Sequence, residues 1–141
     1  RRSEAHRAMT PCFADTFYFI ALLNSQDAHH EAVMRFNASD RRLLVTTAWV
    51  PTEVADALAQ PATRQWVVRL RHRVESSPYF RVLPASEGLM EAGFQLYESR
   101  PDKAWSLTDC ISFVVMQRER LTEALTGDHH FEQAGFRALL R

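Results

Sequence analysis

The chain predicts an α/β fold in three layers, with helices on both faces of a central parallel sheet of four to five short strands. Two features of the 141-residue sequence lead there. Short apolar runs of strand length alternate with longer segments whose apolar residues recur at helical spacing. The four glycines and six prolines fall mostly between these segments. Strands separated by helices pair in parallel, and in an open parallel sheet a functional site lies beyond the carboxyl ends of the strands.

In chain order, Pro11 to Ala14 reads as the first strand, and a helical pattern begins after Asp15. A second helix spans about Ala28 to Ser39. Arg42 to Thr46 (RLLVT) is the second strand. Thr47 is expected to cap the next helix, which runs to about Leu58 and tolerates Pro51 in its first turn. Pro61 opens a helix marked by Trp66, Val67, Leu70 and Val74. Phe80 to Leu83 (FRVL) is the third strand. Ser86 caps a helix to about Ser99, and Ser106 caps another to about Arg120. Glu123 to Thr126 is the fourth strand, and Phe136 to Leu140 a fifth.

The length suits one domain with a sizeable core. Residues 1–8 are read as a tag remnant or upstream extension and Met9 as the natural start, leaving 9–141 as the domain. The N-terminus carries no apolar h-region of a secretory signal. The longest uncharged apolar runs, Phe17 to Leu23 and Ile111 to Met116, fall far short of the roughly 18–20 residues that span a bilayer. A cytoplasmic location without a membrane partner is the expectation. Seventeen basic residues, all Arg but Lys103, balance seventeen acidic ones, which argues against nucleic-acid binding by bulk charge alone. Cys12 and Cys110 form neither a disulfide framework nor a cysteine zinc pattern and read as buried free thiols.

Four acids reach the carboxyl edge of the predicted sheet. Asp15 follows the first strand, and Asp128 follows the fourth after the Thr126-Gly127 turn. Glu53 lies near the start of the helix that leaves the second strand. Asp109 lies in the first turn of the helix leading into the fourth strand, and that helix ends near the strand's amino end. Each acid also has a structural reading. Asp15 suits a helix N-cap, and Asp109 the acid of a Ser106–Asp109 capping box. Asp128 suits a turn, and Glu53 a first helical turn where the dipole favours acids. Brought together, four carboxylates repel by roughly 4 kcal/mol per pair at about 4 Å and an effective dielectric near 20. A fold tolerates that with a cation or with raised pKa values. All-oxygen ligands suit Mg²⁺ or Mn²⁺, which activate water and clamp the oxygens of a phosphodiester.

The stretches FADTFYFIALL, TTAWVPTEVADAL, WSLTDCISFVVM and ALTGDHHFEQAGF carry these acids in order. In them the chain resembles the PIN domain family, and most closely the VapC toxins of bacterial type II toxin–antitoxin pairs, from about Cys12 to Leu140. The resemblance implies a metal-dependent ribonuclease in which Asp15, Glu53, Asp109 and Asp128 are the catalytic acids. They would hold one or two Mg²⁺ or Mn²⁺ directly or through water, and water would attack the RNA phosphate. It also implies an RNA substrate, a VapB-like antitoxin that blocks the acidic pocket, and a homodimer. Two alternatives stand beside it: a PIN nuclease that processes RNA without an antitoxin, and a non-catalytic PIN-like module that binds RNA or protein.

Thr16, Thr108 and Thr126 are candidates to hydrogen-bond the acids or their waters. Many family members carry a further acid where this chain has His130, which is open to three readings: a metal ligand, a proton donor to the leaving oxygen, or a solvated side chain. His129 and His130 are expected to diverge, as adjacent residues usually do. His29 and His30 read as surface or packing residues. Asp27 and Asp56 are weaker candidates: Asp56 shares the helix face of Glu53 and is open to two readings, a pocket-lining acid that binds no metal or a solvated one. Arg69 and Arg73 share a helix face suited to an RNA backbone or to solvent. Trp49, Trp66, Trp105, Phe13, Phe17 and Phe19 read as core or interface residues rather than base-stacking platforms.

Overall fold

The computed structural model describes residues 10–39 and 41–141, so the expected extension at 1–8 and the expected start at Met9 lie outside the described residues. The strands are β1 (Cys12–Ala14), β2 (Leu44–Thr47), β3 (Phe80–Leu83), β4 (Glu123–Leu125) and β5 (Arg137–Ala138). The helices are α1 (Thr16–Leu23), α2 (His30–Ser39), α3 (Trp49–Ala57), α4 (Arg64–Ser76), α5 (Glu87–Ser99), α6 (Leu107–Arg118) and α7 (His129–Gln133).

All four strand pairings are parallel, in the order β3-β2-β1-β4-β5. The chain steps outward from β1 to β2 to β3, then returns across β1 to β4 and β5. Right-handed crossovers therefore lay α1–α4 on one face and α5–α7 on the other, which makes the three layers. The direction of winding reverses beside β1, and the carboxyl ends of β1 and β4 flank the crevice where such sheets bind ligands.

The three central strands are buried along their length except at Glu123, as expected when helices cover both faces. Phe13 of β1 sits in register between Val45 of β2 and Ala124 of β4. Helix α6 buries Asp109, Cys110, Ile111, Ser112, Phe113, Val115 and Met116, nearly all round its axis. Both cysteines are buried, and neither is in a disulfide among the described residues. Burial, with the Asp109 carboxylate second, pushes the Cys110 thiol up to about 11, so it stays a protonated apolar packer. At the opposite edge, the buried Arg42 guanidinium donates to Glu123 at 2.7 Å and to the carbonyl of Thr10 at 2.7 Å. That pair ties β2 to β4 across β1.

Helices α5 and α6 approach closely at Gly93. A Cβ there would lie 2.3 Å from Ile111 Cγ1 and 3.3 Å from Ile111 Cα. Gly93→Ala is expected to destabilise by about 1–3 kcal/mol, because overpacking outweighs the roughly 1 kcal/mol of helix propensity gained. Urea denaturation checks this, and an increase in stability would rule out the close approach.

Local differences from the sequence reading have physical causes. Thr47 does not cap α3. It pairs with Leu83 as the last residue of β2, Ala48 takes the N-cap position without a side-chain bond, and Thr47 Oγ1 is buried without a partner. Pro61 to Thr63 form a turn and α4 begins at Arg64. Helix α6 ends at Arg118, before Arg120 enters the left-handed region at φ 57°. The fifth strand is only Arg137–Ala138, following the positive φ of Gly135 that turns the chain after α7.

Candidate active site

A cleft of about 360 Å³ opens at the carboxyl edge and is lined by Asp15, Thr16, Phe17, Ile20, Glu53, Ala104, Ser106, Asp109, Asp128 and His130. All four predicted acids are in it, delivered by four separate segments of the chain. Among the described residues no lysine or arginine lines it.

Asp15 occupies the N-cap position of α1 but makes no side-chain cap bond, so capping does not account for its carboxylate. It is 4% exposed, and Oδ2 accepts the Thr126 hydroxyl at 3.0 Å. Burial raises its pKa to about 7, with the Asp109 carboxylate next and Glu53 adding to the rise. Thr126 Oγ1 also accepts the backbone N–H of Asp128 at 3.0 Å, so one buried hydroxyl positions both the Asp15 carboxylate and the Asp128 backbone. The Thr16 hydroxyl donates to Glu53 Oε1, which joins α1 to α3. Glu53 lies beyond the first turn of α3, so the helix dipole does not explain it.

Asp109 and Asp128 keep their structural roles as well. Ser106 and Asp109 form a reciprocal capping box, with Ser106 N–H donating to Asp109 Oδ2 at 3.1 Å and Asp109 N–H to Ser106 Oγ at 3.0 Å. Asp128 caps α7 by accepting His130 N–H at 2.9 Å. Burial raises the Asp109 pKa, and Asp128 adds to the rise against the lowering from Ser106 and His130.

The histidines depart from expectation. His130 is not solvated: its side chain is 19% exposed, and Nδ1 lies 3.1 Å from Asp109 Oδ2 and 3.4 Å from Asp128 Oδ1. Nor do the two adjacent rings diverge. Their centroids are 4.5 Å apart, because the start of α7 brings both toward Asp128. His129 Nδ1 is 3.6 Å from Asp128 Oδ1, yet its side chain is 58% exposed and it does not line the cleft. Donor atoms of Asp128, His129 and His130 all fall within 4.8 Å of one another.

Other residues divide plainly. Thr108 does not line the cleft, and Ser106 stands there instead. Asp56 is exposed and outside the cleft, while Asp27 accepts the His29 backbone N–H at 2.8 Å. His29 packs edge-on to Phe17, and His30 Nδ1 meets the Ala21 carbonyl at 2.7 Å. Arg69 is exposed, and Arg73 lines a separate cavity of about 180 Å³ with Arg41, Arg42, Tyr18 and Tyr79. Neither reaches the acidic cleft. Phe13, Phe19 and Trp105 are core residues. Phe17 was missed as a cleft residue: it is half-buried there, with its ring tip against Gly127. Its position two residues after Asp15 was the available signal.

The donor set is four carboxylates with one imidazole beside them, and among the described residues no lysine or arginine lines the cleft to neutralise them. Hard divalent cations fit such a set.

The PIN domain family model matches residues 12–137. The 23S rRNA-specific endonuclease VapC20 of Mycobacterium tuberculosis, from two strains, is 27% identical over 124 residues, which cover 88% of this chain and 94% of that protein. The crystal structure of that VapC20, described as a sarcin-ricin loop cleaving toxin, aligns with a TM-score of 0.80 and 26% identity over 89% of this chain and 95% of that one. FitAcB from Neisseria gonorrhoeae aligns with a TM-score of 0.63 over 90% of this chain and 94% of that one, a likeness of fold alone at 20% identity. With nearly the whole chain matched and the acids of four segments gathered at the switch point of its sheet, this protein belongs to the PIN domain family.

Proposed function

We propose that this protein is a metal-dependent endoribonuclease and the toxin of a type II toxin–antitoxin pair. One observation supports this above the rest: Asp15, Glu53, Asp109 and Asp128 share one cleft that, among the described residues, no lysine or arginine lines. The relatedness to VapC20 over nearly its full length supports RNA as the substrate class.

A bound Mg²⁺ or Mn²⁺ supplies a nucleophilic water at neutral pH and neutralises charge on the phosphate. The chain's own part is to hold and orient. Asp15, Asp109, Asp128 and Glu53 would hold the ion, directly or through water. The Thr126 and Thr16 hydroxyls fix the carboxylates of Asp15 and Glu53. Phe17, Ile20 and Ala104 form the apolar part of the cleft lining. The products carry a 5′-phosphate and a 3′-hydroxyl. The partners under this reading are a VapB-like antitoxin and a second copy of the chain, in the cytoplasm. Among the described residues no helix is long and apolar enough to cross a membrane.

The test is cleavage of a pool of structured RNAs with Mg²⁺ or Mn²⁺, with EDTA as control and Asp128→Asn as a folded comparison. Cleavage by the wild type alone, stopped by EDTA, is expected. An inert wild type that binds no metal by calorimetry overturns the reading and favours a binding module.

A further inference from the structure

We propose that His130 is a direct nitrogen ligand of the ion in the acidic cleft, giving this site a preference for nitrogen-accepting transition ions such as Mn²⁺ and Co²⁺ over Mg²⁺. The proposal rests on the metal-dependent reading above.

Three facts carry it. First, one ring nitrogen, Nδ1, lies 3.1 Å from a carboxylate oxygen of Asp109 and 3.4 Å from one of Asp128. Those oxygens come from different elements, the start of α6 and the cap of α7, so the nitrogen sits where two candidate ligands converge. Second, the ring is held there. The His130 backbone N–H is bonded to Asp128 Oδ1, and the side chain is largely buried along the cleft. Third, the neighbouring histidine is mostly solvent-facing and does not line the cleft, which separates the roles of the two rings.

An imidazole binds a metal through an unprotonated nitrogen, so Nδ1 would offer its lone pair to the ion from the place where it now meets the two carboxylates. Mg²⁺ takes oxygen ligands and dehydrates reluctantly, so a nitrogen in its shell disfavours it. Transition ions accept imidazole, increasingly along the series from Mn²⁺ to Co²⁺.

The test is pulsed EPR of Mn²⁺ bound to the full chain, with natural-abundance and ¹⁵N-histidine protein, alongside calorimetric affinities for Mn²⁺, Co²⁺ and Mg²⁺. The expected result is nitrogen coupling to Mn²⁺ that changes with the isotope, persists in His129→Ala and vanishes in His130→Asp. His130→Ala should weaken Mn²⁺ binding by roughly 10–100-fold, and His130→Asp should shift the Mn²⁺-to-Mg²⁺ affinity ratio toward Mg²⁺ by about tenfold or more. The isotope comparison in the wild type needs no variant to fold. Bound Mn²⁺ without nitrogen coupling, or coupling lost only in His129→Ala, overturns the proposal and leaves the nuclease reading standing. A wild type that binds no Mn²⁺ overturns both.

Discussion

Asp15→Asn should abolish RNA cleavage and, in EDTA, make the protein more stable than the wild type at pH 8. Both effects have one cause. The Asp15 carboxyl is raised from 3.8 to about 7, first by burial and then by the Asp109 and Glu53 carboxylates. The folded protein therefore binds a proton that the unfolded chain has released between about pH 4 and pH 7. Stability falls as pH rises through that window, and the full penalty, on the order of 4 kcal/mol, stands above it. Asparagine removes the charge while its carbonyl still accepts the Thr126 hydroxyl. Thermal melts should thus show the variant ahead at pH 8, with the gap closing toward pH 4. Added Mn²⁺ should reverse the order, because it stabilises only the chain that binds it. Cleavage should drop by at least about a hundredfold, more than the loss of an outer-shell group usually brings. A variant less stable than the wild type in EDTA at pH 8 would contradict the electrostatic account.

Phe131→Ala should cost about 3–5 kcal/mol, a large part of the 5–15 kcal/mol that holds most domains folded. Phe131 is fully buried, and its ring meets Phe113 edge-on at 4.9 Å and Phe13 at 6.3 Å. It ties α7 to α6 and β1 at once. Helix α7 has only five residues, far too few to be stable without packing. Asp128 and His130 lie just before the anchor, so truncation should weaken Mn²⁺ binding beyond what the lost stability explains. Chemical denaturation and calorimetry at 10 °C measure the two effects separately. A stability change under about 1 kcal/mol would show that α7 is held by something else.

The order of elements was legible because its signals are local. Capping boxes and apolar spacing act within a few residues, and Ser106–Asp109 behaves as its sequence says. Thr47 shows where local signals stop. Its hydroxyl suits a cap, but pairing with Leu83 extends β2 through it. The acids were legible too: Asp15 and Asp128 come soon after parallel strands and so lie at the carboxyl edge, and Glu53 and Asp109 lie near the starts of helices that begin at that edge.

The sequence by itself determined the α/β class, the order of the strands and helices, and the four carboxylates brought to one end of the sheet. Tertiary structure alone decided what those groups feel. The near-neutral pKa of Asp15 comes from burial beside Asp109, a residue 94 positions away. The turn of His130 into the cleft comes from the seating of α7 against β1 and α6. The opening of Phe17 onto the acids comes from where the Gly127 loop meets its ring. Desolvation and charge coupling depend on which distant segments pack together, and no local spacing encodes them.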